Sequence, residues 1–346
     1  MLQNIFLKLL KLKGYIFHEL YNRIRSKLWY KLVHLSRKYT VYPFLYSAYW
    51  NYLIKKQPFP QPTDHYYSAK PNPGAGIGHQ IANWIAGFWF AKQFGLKYAH
   101  STFFNSEWET FLGLGENEIS VSILVEKGYS KVLLPLFDEF NDEEVQLQKK
   151  IIASYSNRKV VFIAEQDQGY RDQFGVKETI KEKFFNSKSR INDILFFNPQ
   201  FINIAVHVRR GDILTGEENN LYLKMRFQGN EYFTRVLRNL LHTIKSDKPI
   251  AIYLFSQGNV EKFAEFDQFE NLHYCLDMSP MSSFLHMVYA DFLITSKSSF
   301  SYKPALLNKG IKICPKEFWH GYPTTEDWII ADENGQLSSN LVLAYE

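Results

Sequence analysis

Beyond residue 200, short apolar runs alternate with longer stretches of helical periodicity. The pattern predicts strands over 202–208, 250–255, 272–276, 292–295 and 311–314, with helices over 232–245, 260–266, 281–289 and 302–308 between them. Strict alternation of this kind predicts an α/β fold with a mostly parallel sheet, whose ligands sit at the carboxyl ends of the strands. Upstream the pattern is coarser. Short strands are expected over 131–136 and 159–164 around an acidic helix at 138–150, and a helical run over 81–94 stops at Gly95. Pro58, Pro60, Pro62, Pro71 and Pro73 read as a linker with turn residues. Ahead of it, Ile5, Leu9, Leu12 and Ile16, then Leu28, Leu32 and Leu35, recur at steps of three and four, the spacing of an amphipathic helix. The expected organisation is a helical segment at 1–56, a linker at 57–73, α/β domains at 74–197 and 198–320, and a tail at 321–346.

Charge divides the chain more sharply than hydropathy does. Residues 1–56 hold eleven Lys and Arg against Glu19 alone, so this head carries +10 while the whole chain carries +5 and the remainder −5. A basic amphipathic helix suits an anionic membrane surface; a helical hairpin packed on the protein's own body is the alternative. The overall charge is too modest and too unlocalised to argue for nucleic acid. With 346 residues, 46% of them hydrophobic and 22% charged, disordered, collagen-like and disulfide-scaffold classes are excluded. Lys8, Lys11 and Lys13 interrupt the first apolar run too soon for a signal-peptide core, and Pro43 breaks the uncharged stretch 39–54, so no spanning helix is expected. Cys275 and Cys314 lie in strand-like runs without a CxxC partner, which fits a reducing, cytoplasmic setting.

The strongest chemical signal is His207-Val208-Arg209-Arg210-Gly211-Asp212, where an apolar strand gives way to a polar loop. Two consecutive arginines at that edge present planar donor forks suited to a diphosphate. A second block, Thr295-Ser296-Lys297-Ser298-Ser299-Phe300-Ser301, places hydroxyls and backbone N–H groups at a helix start, an anion site without metal; Ser299 or Ser301 could also serve only as N-cap. A third, Gly74-Ala75-Gly76-Ile77-Gly78-His79-Gln80, is a glycine loop opening a helix, a motif that by itself more often marks a tight turn. No Asp-x-Asp occurs in the chain, and no His, Cys and carboxylate group has zinc spacing. Trp84, Trp89, Trp108, Trp319 and Trp328 could supply sugar-stacking platforms, though core packing is the commoner use of such rings.

These three blocks resemble the superfamily of α1,2-, α1,6- and protein O-fucosyltransferases, over roughly residues 71–328. The resemblance implies a GT-B-like fold, two Rossmann-like domains facing a cleft, with GDP-fucose bound by the second from about residue 198 and much of the acceptor wall supplied by the first. It implies that Arg209 holds the β-phosphate, that His207 and Arg210 lie beside the nucleotide, and that Glu217, ten positions after the histidine, is the catalytic base, with Asp212 as the fallback. Gly76, Gly78, His79, Ser256, Ser298, Ser299 and Phe300 would contribute to donor binding. Three positions depart from the family pattern. His79 stands where many relatives have Asn, Ser283 replaces a base-reading aspartate, and Ser256-Gln257-Gly258 replaces a Ser/Thr-Asp-Asp signature, leaving nearby Asp277 as a substitute carboxylate.

The reaction so implied is single-step, inverting, metal-independent transfer to a hydroxyl of a glycan such as a lipopolysaccharide or capsule precursor, with no cofactor beyond the GDP-fucose donor. Another GDP-sugar, or a catalytically idle nucleotide-sugar-binding protein on the same fold, remains as an alternative. An adhesion protein displaying Arg-Gly-Asp would need an exposed loop rather than a strand end.

Overall fold

The computed structural model describes residues 64–71, 74–134, 137–155, 158–164, 175–211, 225–276, 278–319, 321–337 and 343–344, together with isolated positions between 24 and 45. The chain divides into two compact units, Met1–Thr63 with Phe137–Arg158, and Asp64–Leu136 with Lys159–Glu346. Glu217, Asp212 and Asp277 lie outside the described residues, as does most of the basic head.

In the first unit the helical positions Ile24, Leu28, Leu32 and Leu35 are all exposed, the last at 74%. The acidic helix expected at 138–150, within the 74–197 domain, is present at Asp142–Ala153 and groups with this unit instead. Asn141 caps it by accepting from the backbone N–H groups of Glu143 and Glu144.

The second unit holds both principal sheets. In chain order it runs β1 (Tyr66–Ala69), α1 (Ile77–Gln93), β2 (Lys97–Tyr98), α2 (Ser106–Leu112), α3 (Val121–Glu126) and β3 (Ser130–Leu133). With the acidic helix of the first unit counted as α4, it resumes at β4 (Val160–Ala164), α5 (Lys177–Phe185), β5 (Ile202–His207), α6 (Asn230–Thr243), β6 (Ile244–Lys245), β7 (Ile250–Phe255) and β8 (Leu272–Cys275). It closes with α7 (Pro280–Tyr289), β9 (Phe292–Ile294), α8 (Ser299–Leu307), β10 (Ile311–Pro315), β11 (Trp328–Ala331) and β12 (Leu343–Ala344). One sheet has the order β2-β1-β4-β3 and the other β11-β10-β9-β5-β7-β8, and every pairing in them is parallel. Two parallel sheets with helices on their faces match the expected α/β, GT-B-like class.

Three expectations need correction. The stretch read as a linker contains β1, which pairs with both β2 and β4. The stretch read as a tail contains β11, whose Trp328 and Ala331 are buried at the end of the larger sheet. The expected helix at 260–266 is a 3₁₀ turn, with Phe263 off helical geometry at its centre.

Continuous apolar sequence explains the central strand. All six residues of β5, Ile-Asn-Ile-Ala-Val-His, are buried, as expected for a parallel strand covered on both faces. Ile204, Val206, Leu254 and Ile294 pack with Phe233 and Leu237 of α6 and with Phe263 and Phe266 to form the main core. Two polar residues fix the strand starts. Asn203 N–H donates to Asp291 Oδ2 at 2.8 Å, joining β5 to the start of β9, and Asn308 Nδ2 donates to the carbonyls of Met287, Val288 and Ala290 at the end of α7. Helix α1 is buried nearly all round, because β1 lies against one side and α8 against another.

Candidate active site

Strand order locates the site. From β5 the chain winds outward through β7 and β8, then returns to place β9, β10 and β11 on the opposite side. The order therefore reverses between β5 and β9, and a crevice opens beyond their carboxyl ends. His207 ends β5 and Ser296 follows β9, and His207 Nδ1 lies 2.8 Å from Ser296 Oγ across that gap.

A cavity of about 430 Å³ occupies this edge. His207, Val208, Arg209 and Arg210 line it from β5, and Phe255, Ser256 and Gln257 from β7. Met278 enters from the segment before α7, Pro280 and Ser283 from α7, Phe300 from α8, and Ala75, Ile77, Gln80, Asn105 and Trp108 from the segments around α1 and α2. None of the described lining side chains is acidic, so the formal charge of this wall comes from its two arginines.

The arginines differ in burial. Arg210 is buried; its Nη1 donates to the carbonyls of Arg209 at 2.8 Å and Gln228 at 3.0 Å, and its Nη2 to Asn230 Oδ1 at 2.5 Å. Its guanidinium also sits 4.9 Å from the centre of the Phe227 ring. Much of its donor capacity is thus spent holding the start of α6 against the end of β5. Arg209 is only half-buried on the same wall. Beyond the pair Gly211 takes a φ of +72°, and a Cβ there would meet Gln257 Oε1 at 2.1 Å.

His207 is buried, and desolvation, reinforced by the neighbouring charges of Arg209 and Arg210, pushes its pKa down to about 3. The imidazole is therefore neutral at physiological pH and acts as a hydrogen-bonding group, with its ring 5.5 Å from that of Phe300. Ser256 Oγ donates to the Val208 carbonyl at 2.7 Å, which clamps the ends of β5 and β7 together beneath the cavity floor.

At the start of α8 the capping hydroxyl is Ser298, which accepts from Phe300 N–H, rather than Ser299 or Ser301. Ser301 instead holds Ser296 by accepting from its backbone N–H at 3.2 Å. Of the three positions expected to bind donor here, Phe300 lines the cavity, while Ser298 and Ser299 do not.

The glycine loop is placed differently from expectation. Gly76 is the N-cap position of α1, and Gly78 faces α8, where an added Cβ would lie 2.8 Å from the Ser299 carbonyl carbon. Neither they nor His79 line the cavity; the loop's contribution comes from Ala75, Ile77 and Gln80. Gln80 Nε2 donates to the Ala75 carbonyl at 2.9 Å and its Oε1 accepts from Phe104 N–H at 3.0 Å, strapping the loop to the segment that carries Asn105 and Trp108. Behind that segment, Trp84 Nε1 donates to His100 Nδ1 and His100 Nε2 donates to Glu109 Oε1 at 2.7 Å. Burial opposes ionisation of Glu109, but the hydrogen bonds it accepts from His100 and from Phe103 N–H outweigh it and hold the carboxyl low. Of the described tryptophans, Trp108 alone lines this cavity, whereas Trp84 and Trp328 are core.

The sequence reading missed Gln228, Asn230, Asn105 and the strapping role of Gln80. Each acts through tertiary hydrogen bonds or cavity position, and none belongs to an apolar pattern or to a recognisable spacing. Among the described residues no group of three or more His, Cys, Asp or Glu could hold a metal ion. No described helix is long and apolar enough to cross a membrane.

No family model matches the sequence, and neither does any curated protein. Among solved structures the chain is similar to the fucosyltransferase NodZ from Bradyrhizobium, at 13% identity and TM-score 0.47, over 81% of this chain and 98% of that one. It is similar to POFUT1 in complex with GDP at 12% identity and TM-score 0.44, over 74% and 99% of the two chains. Against Arabidopsis thaliana FUT1 in complex with GDP the identity is 10% and the TM-score 0.45, over 81% and 76%.

Proposed function

We propose that the protein is a glycosyltransferase that moves a sugar, fucose foremost, from a GDP-sugar to a hydroxyl of a glycan acceptor. The observation that carries this reading is the placement of Arg209 and Arg210, the only formal charges on the described wall, at the strand-order reversal between β5 and β9. In the proposed reaction the bond between the anomeric carbon and the β-phosphate oxygen breaks as the acceptor oxygen attacks the opposite face, inverting the centre. Negative charge grows on the departing diphosphate, and Arg209 takes it up; Arg210, held by α6, keeps Arg209's backbone in position. Neutral His207 contributes hydrogen bonding and no charge. Glu217 receives the acceptor proton, with Asp212 as the fallback, a contribution of about 10²–10⁴ in rate for a well-placed base. The chain contains no Asp-x-Asp, and the proposed mechanism routes leaving-group charge through arginine alone.

Ser283 lines the cavity where the family pattern has a base-reading aspartate, which favours, as a second reading, a donor other than GDP-fucose. A panel of nucleotide sugars tested by thermal shift separates the two, because a ligand stabilises in proportion to its occupancy. GDP-fucose is expected to give the largest shift; a larger shift from another nucleotide sugar would replace the donor assignment, and no shift from any would reject the function.

For location we propose the cytoplasmic face of a membrane carrying the glycan precursor, with residues 1–56 resting on anionic lipid. Support comes from the head's charge of +10 and the exposure of Ile24, Leu28, Leu32 and Leu35. Each basic residue near such a surface contributes about 1 kcal/mol. Deleting residues 1–56 should abolish co-sedimentation with anionic vesicles; undiminished binding would reject the placement.

A further inference from the structure

A second cavity, of about 300 Å³, lies at the same strand edge beyond β9. Lys297 borders it after β9, Lys316 after β10, Asp332 and Glu333 after β11, and Glu231 and Arg235 from the first turns of α6. Its wall toward the first cavity is the segment Phe227–Gln228. On one side of that wall the Arg210 guanidinium lies 4.9 Å from the Phe227 ring centre and donates to the Gln228 carbonyl at 3.0 Å. On the other, Phe227 and Gln228 line the second cavity, and Gln228 Oε1 accepts from Lys297 N–H at 3.0 Å.

We propose that this second cavity binds a hydroxyl-rich sugar ring of the acceptor glycan. The inference rests on the first cavity being the donor site. Its chemistry follows from what the lining can offer. Carboxylates only accept hydrogen bonds, and ammonium and guanidinium groups only donate them. Glu231, Asp332 and Glu333 are matched in formal charge by Arg235, Lys297 and Lys316, so neither a polyanion nor a polycation is favoured. A hydroxyl both donates and accepts, and a polyol can pair with both kinds of group at once.

Lys316 and Glu333 approach each other at 3.4 Å, but the side chains of Lys297, Arg235 and Glu231 make no ion pair or hydrogen bond among the described residues. Phe227, exposed at 46%, adds an apolar face for the C–H side of a pyranose. The cavity is at the small end of the range for ligand sites, suited to one ring of a longer glycan. This assigns acceptor recognition to the donor sheet's own edge, in place of the first sheet's segments.

The test uses saturation-transfer NMR on the full chain with the methyl glycosides of galactose, N-acetylglucosamine, glucose, mannose and rhamnose. GDP affinity is measured in parallel by calorimetry. The Glu231→Ala/Arg235→Ala double variant removes two exposed side chains that do not border the first cavity. At least one glycoside should bind the wild type, the double variant should bind it about ten- to a hundredfold more weakly, and GDP affinity should be unchanged. Equal glycoside binding by both proteins would overturn the proposal, as would no binding of any glycoside by the wild type. Glycoside binding that weakens as expected in a protein with no affinity for GDP would instead sink the donor reading and leave the sugar site standing.

Discussion

His207 and Lys303 are two cationic side-chain types buried in one sheet's surroundings, and burial acts on both in the same direction. For His207, desolvation with the charges of Arg209 and Arg210 gives a folded pKa of about 3. Between pH 3 and 6.5 the unfolded chain therefore binds a proton that the folded chain refuses, so stability rises with pH across that window and is lost as pH falls through it. Replacing His207→Gln should flatten this dependence by about 1.4 kcal/mol per pH unit, read from urea unfolding between pH 4 and 6. An unaltered slope would show that the imidazole is not held neutral. Lys303, only 1% exposed in α8, is pushed down by burial to about 7. Here the unfolded side chain holds its proton up to its ordinary range, so stability rises with pH above 7. Between pH 7 and 8 the wild type should gain about 1 kcal/mol relative to Lys303→Met; equal slopes would place a charged ammonium in the core.

At the scale of elements, the approach of α1 to α8 positions Ile77 and Phe300 on the same cavity wall. Gly78 permits that approach: an added Cβ would meet Ser299 backbone and side-chain atoms at 2.8–2.9 Å. Gly78→Ala should cost about 1–3 kcal/mol in urea unfolding and weaken nucleotide binding, since a shifted α8 displaces Phe300. Gly76→Ala, with open space around the added carbon, is the control and should lose far less. Equal stability of the two variants would contradict the contact.

The same elements show what could be read from sequence. Strands β5, β7, β9 and β10 are buried apolar runs bounded by polar turns, so pattern alone found them. Strand β1 was hidden because Tyr66–Ala69 is short, mixes Ser with Tyr and lies between prolines; its identity as a strand comes from pairing with β2 and β4. The His207–Arg210 edge was legible because a motif and a strand end coincide. The tasks of Gln80, Gln228 and Asn230 were not, because a single amide carries no periodicity and its partners are remote in sequence.

On the scale of the molecule, the larger sheet reverses strand order between β5 and β9 and the smaller one between β1 and β4, where the segment carrying Ala75 follows β1. Ala75 and Arg209 line one cavity, so the two sheets' reversal points contribute to a common space. The fold supplies the crevice, and in the proposed function the arginine supplies its selectivity for a diphosphate. The most direct test is calorimetric titration of GDP into the wild type and Arg209→Ala, with unfolding midpoints measured alongside. The account predicts GDP binding to the wild type and at least about a tenfold loss in the variant at unchanged stability, since a hydrogen bond to a charged group contributes about 1.5–3 kcal/mol. Equal GDP affinity in the two proteins would contradict it.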